Sequence, residues 1–224
     1  MRGRPVKTAF RRYVAAAVVA ALLVPASAKA QFTTYLTLAD YLAATMNGGV
    51  DSFDDLPADE VMSPLIRTAG PHNYTVAVSG GELPGFFPAG PGADRWLSPD
   101  DALATMVFTG FGSNVRGLGG FFFGSNQVGN FVAGTTITIT AISATGTQSF
   151  SFVGTSTGTF FGILANSAWS ALTVSSVQPP SGPARWASVN DFRAAEVVPE
   201  PSTYVLMATG LIGVVGLARR RRSR

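Results

Sequence analysis

The chain has 224 residues, and its net charge of +3 comes from the two ends, because the first 30 positions carry six basic residues and the last six carry five arginines. Residues 31–198 form the body of the chain and contain five arginines, no lysine and twelve acidic side chains. This net charge of −7 disfavours nucleic-acid binding because it repels phosphate. The chain has no cysteine, which excludes disulfides, thiolate metal sites and cysteine nucleophiles.

Residues 1–30 have the pattern of a secretory signal peptide. Five basic residues between Arg2 and Arg12 precede an apolar stretch of 12 residues at positions 13–24. Pro25 interrupts that stretch, and Ala28-Lys29-Ala30 supplies the small-x-small pattern of a cleavage site. Because 12 apolar residues are too few to span a bilayer comfortably, we predict cleavage after Ala30, with Ala28 as the second choice and an uncleaved anchor as the alternative.

The body is predicted to be mainly β, with one short helix followed by an antiparallel β-sandwich of eight to ten strands. Apolar residues recur at helical spacing over residues 37–46, where Thr37 caps the start and Gly48-Gly49 end the helix. The Gly- and Pro-rich residues 80–99 are predicted to hold no regular structure. Alternating apolar residues between turn signals are typical of sandwiches. The predicted strands are 50–56, 73–78, 106–109, 115–123, 135–142, 147–153, 160–164, 171–177 and 187–194, with 135–142 and 147–153 forming a hairpin.

The C-terminus carries three features in close succession. Pro199-Glu200-Pro201 comes first and leads into an uncharged stretch at positions 201–218. These 18 residues span roughly 27 Å as a helix, enough for a thin bilayer, and predict a transmembrane helix over about 202–218. The arginine cluster at 219–224 is expected to stay in the cytoplasm and place the body outside. The membrane-stop residues are Arg219, Arg220, Arg221 and Arg222.

Taken together, residues 199–224 resemble the PEP-CTERM sorting signal of Gram-negative bacteria. The resemblance implies signal peptidase and an exosortase, a membrane transpeptidase-like protease, as partners. It also implies an intermediate anchored in the inner membrane with its body in the periplasm, which is then moved to the cell surface or released. Such tails are typical of bacteria that make exopolysaccharide and biofilm. A plain C-terminal anchor, whose prolines only cap the helix, is the alternative.

Residues 105–195 also resemble the bodies of many PEP-CTERM proteins. The shared motifs are GLGGFFF at 117–123, VAGTTITIT at 132–140, TGTQSFSF at 145–152 and VNDF at 189–192. Such bodies are similar to jelly-roll, lectin-like domains, which implies at most a surface or carbohydrate-associated role.

Catalytic motifs are absent from the sequence. His72 is the single histidine, no G-x-S-x-G pattern accompanies it, and we predict it to be a loop residue. Carboxylates are available for glycoside hydrolysis, but no spacing places two of them across one bond. We therefore expect a protein that is not an enzyme and has no cofactor beyond a structural calcium ion.

Two further kinds of binding site are predicted in the body. Calcium prefers carboxylate and carbonyl oxygens, and Asp54 and Asp191 are the chosen candidates, with a solvated acidic loop as the alternative. Trp96 and Trp186 lie in or beside Gly/Pro-rich segments and are candidates for stacking on sugar rings, unless they plug the end of the sandwich. The other residues considered are Asp51, Asp55, Asp59 and Asn190 for calcium, and Phe86 and Phe87 for sugar.

Three function classes are compatible with these features. The leading class is a non-enzymatic exported protein of the envelope or extracellular matrix, associated with exopolysaccharide. The alternative is a carbohydrate-binding module that retains polysaccharide at the envelope. A hydrolase is the third class and lacks any positive motif.

Overall fold

The computed structural model describes residues 31–199 and 209–212. The chain divides into two units, Met1–Ala30 and Gln31–Arg224. The predicted signal peptide lies outside the described residues, and so does most of the predicted transmembrane helix. The described part of the chain is therefore the body with a short piece of the tail.

The body is an antiparallel β-sandwich with one short helix, as predicted. Thr37 caps this helix, because its side-chain oxygen accepts the backbone N–H of Asp40 at 3.2 Å. The helix is α1 (Leu38–Ala44), and the strands are β1 (Phe32–Tyr35), β2 (Thr45–Asp51), β3 (Val61–Met62), β4 (Leu65–Ala69), β5 (His72–Ser79), β6 (Gly85–Ala89), β7 (Trp96–Pro99), β8 (Thr105–Thr109), β9 (Gly117–Ser125), β10 (Phe131–Val132), β11 (Thr135–Ser143), β12 (Gly146–Gly154), β13 (Phe160–Ala165), β14 (Trp169–Ser176) and β15 (Trp186–Val197).

The strands form two sheets. Sheet A has nine strands in the order β1-β13-β9-β15-β7-β6-β3, with β10 paired to β9 and β2 paired to β15. Sheet B has six strands in the order β12-β11-β14-β8-β5-β4. The predicted hairpin is β11–β12, which keeps one continuous register from Thr135↔Gly154 to Ser143↔Gly146.

Alternation along the strands builds the core. In β11, Ile137, Ile139 and Ala141 are fully buried while the threonines between them face outward. Rings from both sheets meet in the centre, where Phe108 of sheet B stacks on Phe192 of sheet A with centroids 4.5 Å apart. Each such buried ring stabilises the fold by about 1.5–3 kcal/mol.

Two local predictions are wrong. Gly48-Gly49 do not end the helix, which stops at Ala44 because Thr45 is already extended, and both glycines lie in β2. Gly49 is required there because a Cβ at this position would collide with the carbonyl of Ala69 in β4. The predicted strand 50–56 is the end of β2 followed by a turn, so Asp54 and Asp55 lie in a loop.

The prediction that residues 80–99 lack regular structure is also wrong. They contain β6 and β7, which pair with each other from Phe86↔Pro99 to Ala89↔Trp96. Phe86 and Leu97 are fully buried, so core packing outweighs the turn-forming composition. The described residues hold fifteen strands in place of the predicted eight to ten.

Candidate functional site

The last strand of the sandwich runs directly into the predicted sorting motif. Val197 at the end of β15 pairs with Thr45, and the backbone N–H of Val198 donates to the carbonyl of Ala44 at 3.1 Å. Pro199, the first residue of the Pro-Glu-Pro motif, comes next and ends the described body. The motif is therefore attached to the fold without a linker.

The remainder of the tail is only briefly described. Glu200 and Pro201 lie outside the described residues, and so do the arginines at 219–222. Residues 209–212 are helical. Within the part of the chain that the structure describes, no helix reaches the length and apolarity needed to cross a membrane.

A small pocket brings Trp186 and Phe87 together on the surface of sheet A. The cavity is about 200 Å³, and both aromatic side chains are half-buried. The indole N–H of Trp186 donates to the carbonyl of Asp100 at 3.2 Å, which fixes the ring at the rim. Asn126 and Gln127 add amide groups to the lining. An aromatic face with amides beside it is suited to a sugar ring.

Three buried serines lie on adjacent strands of sheet A, and two of them line this pocket. Ser98 of β7 and Ser188 of β15 have hydroxyl oxygens 2.7 Å apart, and Ser188 donates to Ser125 of β9 at 2.9 Å. All three side chains are at most 2% exposed. Ser98 and Ser125 reach the pocket wall. Sequence analysis missed this group, because its members are up to 90 positions apart and serine carries no local signal.

Trp96 does not belong to the pocket, and its prediction as a sugar-stacking residue is corrected. It is only 3% exposed and packs edge-on against Phe123, with centroids 5.1 Å apart. Phe86 is likewise fully buried. Of the four aromatics considered, Trp186 and Phe87 are half-buried and line the pocket, whereas the other two are buried in the core.

A second, larger cavity of about 670 Å³ lies where β2, β5 and the end of β15 meet the 110–114 loop. Its lining is polar: Glu196 accepts from the side-chain amides of Asn47, at 3.1 Å, and Asn114. His72 begins β5 in place of the predicted loop, is 6% exposed, and its Nε2 donates to the carbonyl of Asn47 at 2.7 Å. These contacts hold the 110–114 loop against β15 at Glu196, the residue that precedes Val197.

Two predicted calcium ligands belong to an ion-pair network. Arg67 contacts Asp51 through Nε at 2.9 Å and Nη2 at 2.6 Å, and it contacts both carboxylate oxygens of Asp55. Asp51 also accepts the hydroxyl of Tyr74 at 2.7 Å and the N–H of Phe53. Hydrogen bonding to Arg67 lowers the pKa of Asp55. These carboxylates are already occupied by protein donors.

The two chosen calcium residues lie near one another. Burial raises the pKa of Asp191, the Arg193 guanidinium lowers it, and the nearby charges of Asp54 and Asp94 raise it further. Asp54 accepts the backbone N–H of Arg95 at 2.8 Å, while Asp94 accepts the amide of Asn190 at 3.1 Å. Over residues 31–199 and 209–212, no three His, Asp or Glu side chains are arranged to hold a metal ion. Calcium binding at Asp54 and Asp191 stays a prediction.

The segment that begins at the end of β15 belongs to the class of C-terminal protein-sorting signals. Residues 197–222 match the family model described as the PEP-CTERM protein-sorting motif, which confirms the prediction from the Pro-Glu-Pro, apolar and arginine segments. The motif identifies an exported protein that an exosortase system sorts to the cell surface. No curated protein matches the chain.

Proposed function

We propose that the body acts outside the cell as a non-enzymatic protein associated with exopolysaccharide or biofilm. The observation that carries this proposal is the junction, because Val197 belongs both to the last strand and to the sorting motif. Sorting therefore delivers the whole sandwich as one folded unit. The body carries a net charge of −7 and no lysine, a composition that favours solubility in an aqueous matrix.

Deletion of Pro199-Glu200-Pro201 tests the sorting part of this proposal. We expect a form that has lost residues 1–30 but keeps its C-terminal tail to accumulate in the membrane fraction, whereas the wild type loses the tail and is displayed. The measurement is the mass and localisation of the protein in a host that contains an exosortase. Substitution of Thr155, an exposed loop residue of the body, by alanine is the control and leaves processing unchanged. Normal display of the deletion variant would contradict the proposal.

A carbohydrate-binding function is the second candidate, and the pocket formed by Trp186 and Phe87 favours it. At about 200 Å³ it is smaller than the roughly 300–1,000 Å³ of most small-molecule sites. It therefore suits a single sugar ring of a longer chain, with neighbouring sugars lying along the open surface. The half-buried indole offers one face to such a ring, and its N–H bond to Asp100 keeps that face in place.

Trp186→Ala tests this second function. Loss of the stacking face is expected to weaken binding to a responsive polysaccharide on a glycan array by about tenfold, the equivalent of about 1.4 kcal/mol. Trp186→Phe is the matched control, because it keeps an aromatic face while it loses the N–H donor and the second ring. Equal binding by wild type and Trp186→Ala, with both proteins melting at the same temperature, would exclude the pocket as the sugar site.

A further inference from the structure

Strand β12 is an unprotected edge of sheet B. It spans nine residues, Gly146–Gly154, and in the sheet order it has a single neighbour, β11. Its pairing with β11 runs from end to end without a bulge. One side of its backbone therefore presents N–H and C=O groups that no neighbouring strand of the described sheet takes up. Thr147, Gln148, Ser149 and Ser151 on this strand are all exposed.

The other strands that end the two sheet orders, β1, β3 and β4, are protected against pairing with further strands. At the far edge of sheet B, β4 has only five residues, carries Arg67, and packs closely against Gly49 of β2. In sheet A, β1 has four residues, and β3 has two residues beside Pro64. Short strands, charge, proline and coverage are the usual means by which proteins block edge pairing. β12 is nine residues long and contains no charged residue and no proline, and among the described strands it pairs with β11 alone.

The surroundings of β12 are also free of charge. The 68 residues at positions 117–184 contain no Asp, Glu, Lys, Arg or His, and they include all of β9 to β14. The acidic side chains of the body all lie before position 102 or after position 190. Two copies of this acidic body would repel each other in most orientations, but an approach through β12 brings only neutral strands together.

Apolar rings at the same edge are incompletely covered. Phe150 and Phe152 of β12 point between the sheets, where both pack on Phe161 with centroids 5.5 Å and 4.8 Å apart. Both rings are only half-buried, and Val153 is 48% exposed. A strand added beside β12 would bury this apolar surface together with the free backbone groups.

We propose that β12 is a self-association edge, which pairs antiparallel with β12 of a second copy of this chain. The two six-stranded sheets then form one continuous sheet of twelve strands about a twofold axis. The uncharged strands around β12 favour a second copy of this chain as the partner, because two identical neutral surfaces can meet without repulsion and need no opposite charges to pair. This inference does not depend on polysaccharide binding at Trp186.

Single cysteines test the pairing in the full chain, since the protein has no other thiol. Ser149→Cys and Ser151→Cys are nearly isosteric changes at exposed positions of β12. With a mild oxidant on intact cells, we expect a disulfide-linked dimer on a non-reducing gel from one variant alone, or from co-expression of the two with tags of different size. A disulfide forms only when the two Cα atoms lie within about 7 Å, so the linked residues must face each other across the twofold axis. A dimer from one variant alone places the axis at that residue. A dimer that forms only in the mixture places the axis at Phe150.

Ser170→Cys is the matched control, because this serine is equally exposed but lies on β14, an inner strand of the same sheet. It is expected to give no dimer even where the C-terminal tails bring copies close together in the membrane. Adding Thr147→Lys to whichever cysteine variant or mixture forms the cross-link is expected to lower its yield at least fivefold, since lysine on an edge strand opposes pairing.

Three results would overturn the proposal. The first is equal cross-linking from Ser149→Cys, Ser151→Cys and Ser170→Cys. The second is the absence of a dimer from both β12 variants and from their mixture, because full overlap of the nine-residue strand with its copy places the twofold axis at Phe150 or one residue from it. The third is mass spectrometry that identifies the partner at β12 as a different protein. A melting temperature of the lysine variant close to that of the wild type establishes that its lower yield is not caused by unfolding.

Discussion

At the scale of single residues, a largely buried charge network centres on Asp51. Asp51 is 5% exposed and accepts hydrogen bonds from Arg67, Tyr74 and the backbone of Phe53. Arg67 also lies over the ring of Phe53, 5.5 Å from its centroid. Removing Asp51 leaves the buried Tyr74 hydroxyl and the Phe53 N–H without an acceptor, and it leaves Arg67 only the exposed Asp55 as a counter-ion. That costs far more than losing an exposed ion pair.

Asp51→Ala is therefore expected to lower the free energy of unfolding by about 3–5 kcal/mol. Asp55→Ala is the matched control, because Asp55 binds the same arginine but its side chain is 70% exposed, and it is expected to cost at most about 1 kcal/mol. Urea unfolding of the two variants measures both values. Similar losses for the two variants would contradict the assignment of Asp51 as the buried centre.

The stability that Asp55 contributes is expected to depend on pH. The pKa of Asp55 is lowered in the folded state by its hydrogen bonds with Arg67. Its stabilising contribution is therefore present above the unfolded pKa of about 4, and it is lost as the pH falls through the lower pKa of the folded state. The difference between wild type and Asp55→Ala is expected to shrink at acid pH, which urea unfolding across that pH range measures.

At the scale of elements, β2 connects the sorting junction to the rest of the sandwich. It pairs with the end of β15 from Phe192↔Asp51 to Val197↔Thr45, while its other side lies against β4. Gly49 allows this double packing, because its Cα hydrogens face the backbone of Ala69 and Gly70. The position of the Pro-Glu-Pro motif thus depends on a strand at the opposite end of the body sequence.

Gly49→Ala is expected to destabilise the body by about 1–3 kcal/mol, because the added methyl group meets main-chain atoms that have no space to move. Gly158→Ala is the control, since its methyl group would meet only the Ser156 hydroxyl at 3.7 Å. Thermal unfolding compares the two variants. If Gly49→Ala has the same melting temperature as the wild type, the close approach of β2 and β4 does not contribute to stability.

At the scale of the whole molecule, basic, acidic and neutral segments occupy different parts of the chain. The basic residues that give the precursor its net charge of +3 lie at the two ends, whereas the body is acidic. Inside the body, the acidic residues lie outside the neutral strands β9 to β14, so one part of the sandwich has no charge at all. That neutral part contains β12, the edge for which we propose self-association. The sorting motif begins at the end of β15, which lies outside the neutral part.

Features that depend on residues close together in the chain could be predicted without the fold. The sorting motif is a linear signal, confirmed over residues 197–222. The β11–β12 hairpin arises from period-two alternation on both sides of the short turn at Ala144 and Thr145. The capped helix α1 arises in the same way from Thr37 and the spacing of its apolar residues.

Which residues share a site depends instead on tertiary packing. Packing buries Trp96 and leaves Trp186 accessible, although both are tryptophans beside Gly/Pro-rich segments. It joins Ser98, Ser125 and Ser188 from three strands, and it places strands where glycine and proline predict a loop. The cause is that burial and edge exposure depend on which strands become neighbours, and that pairing is fixed by contacts between distant parts of the chain.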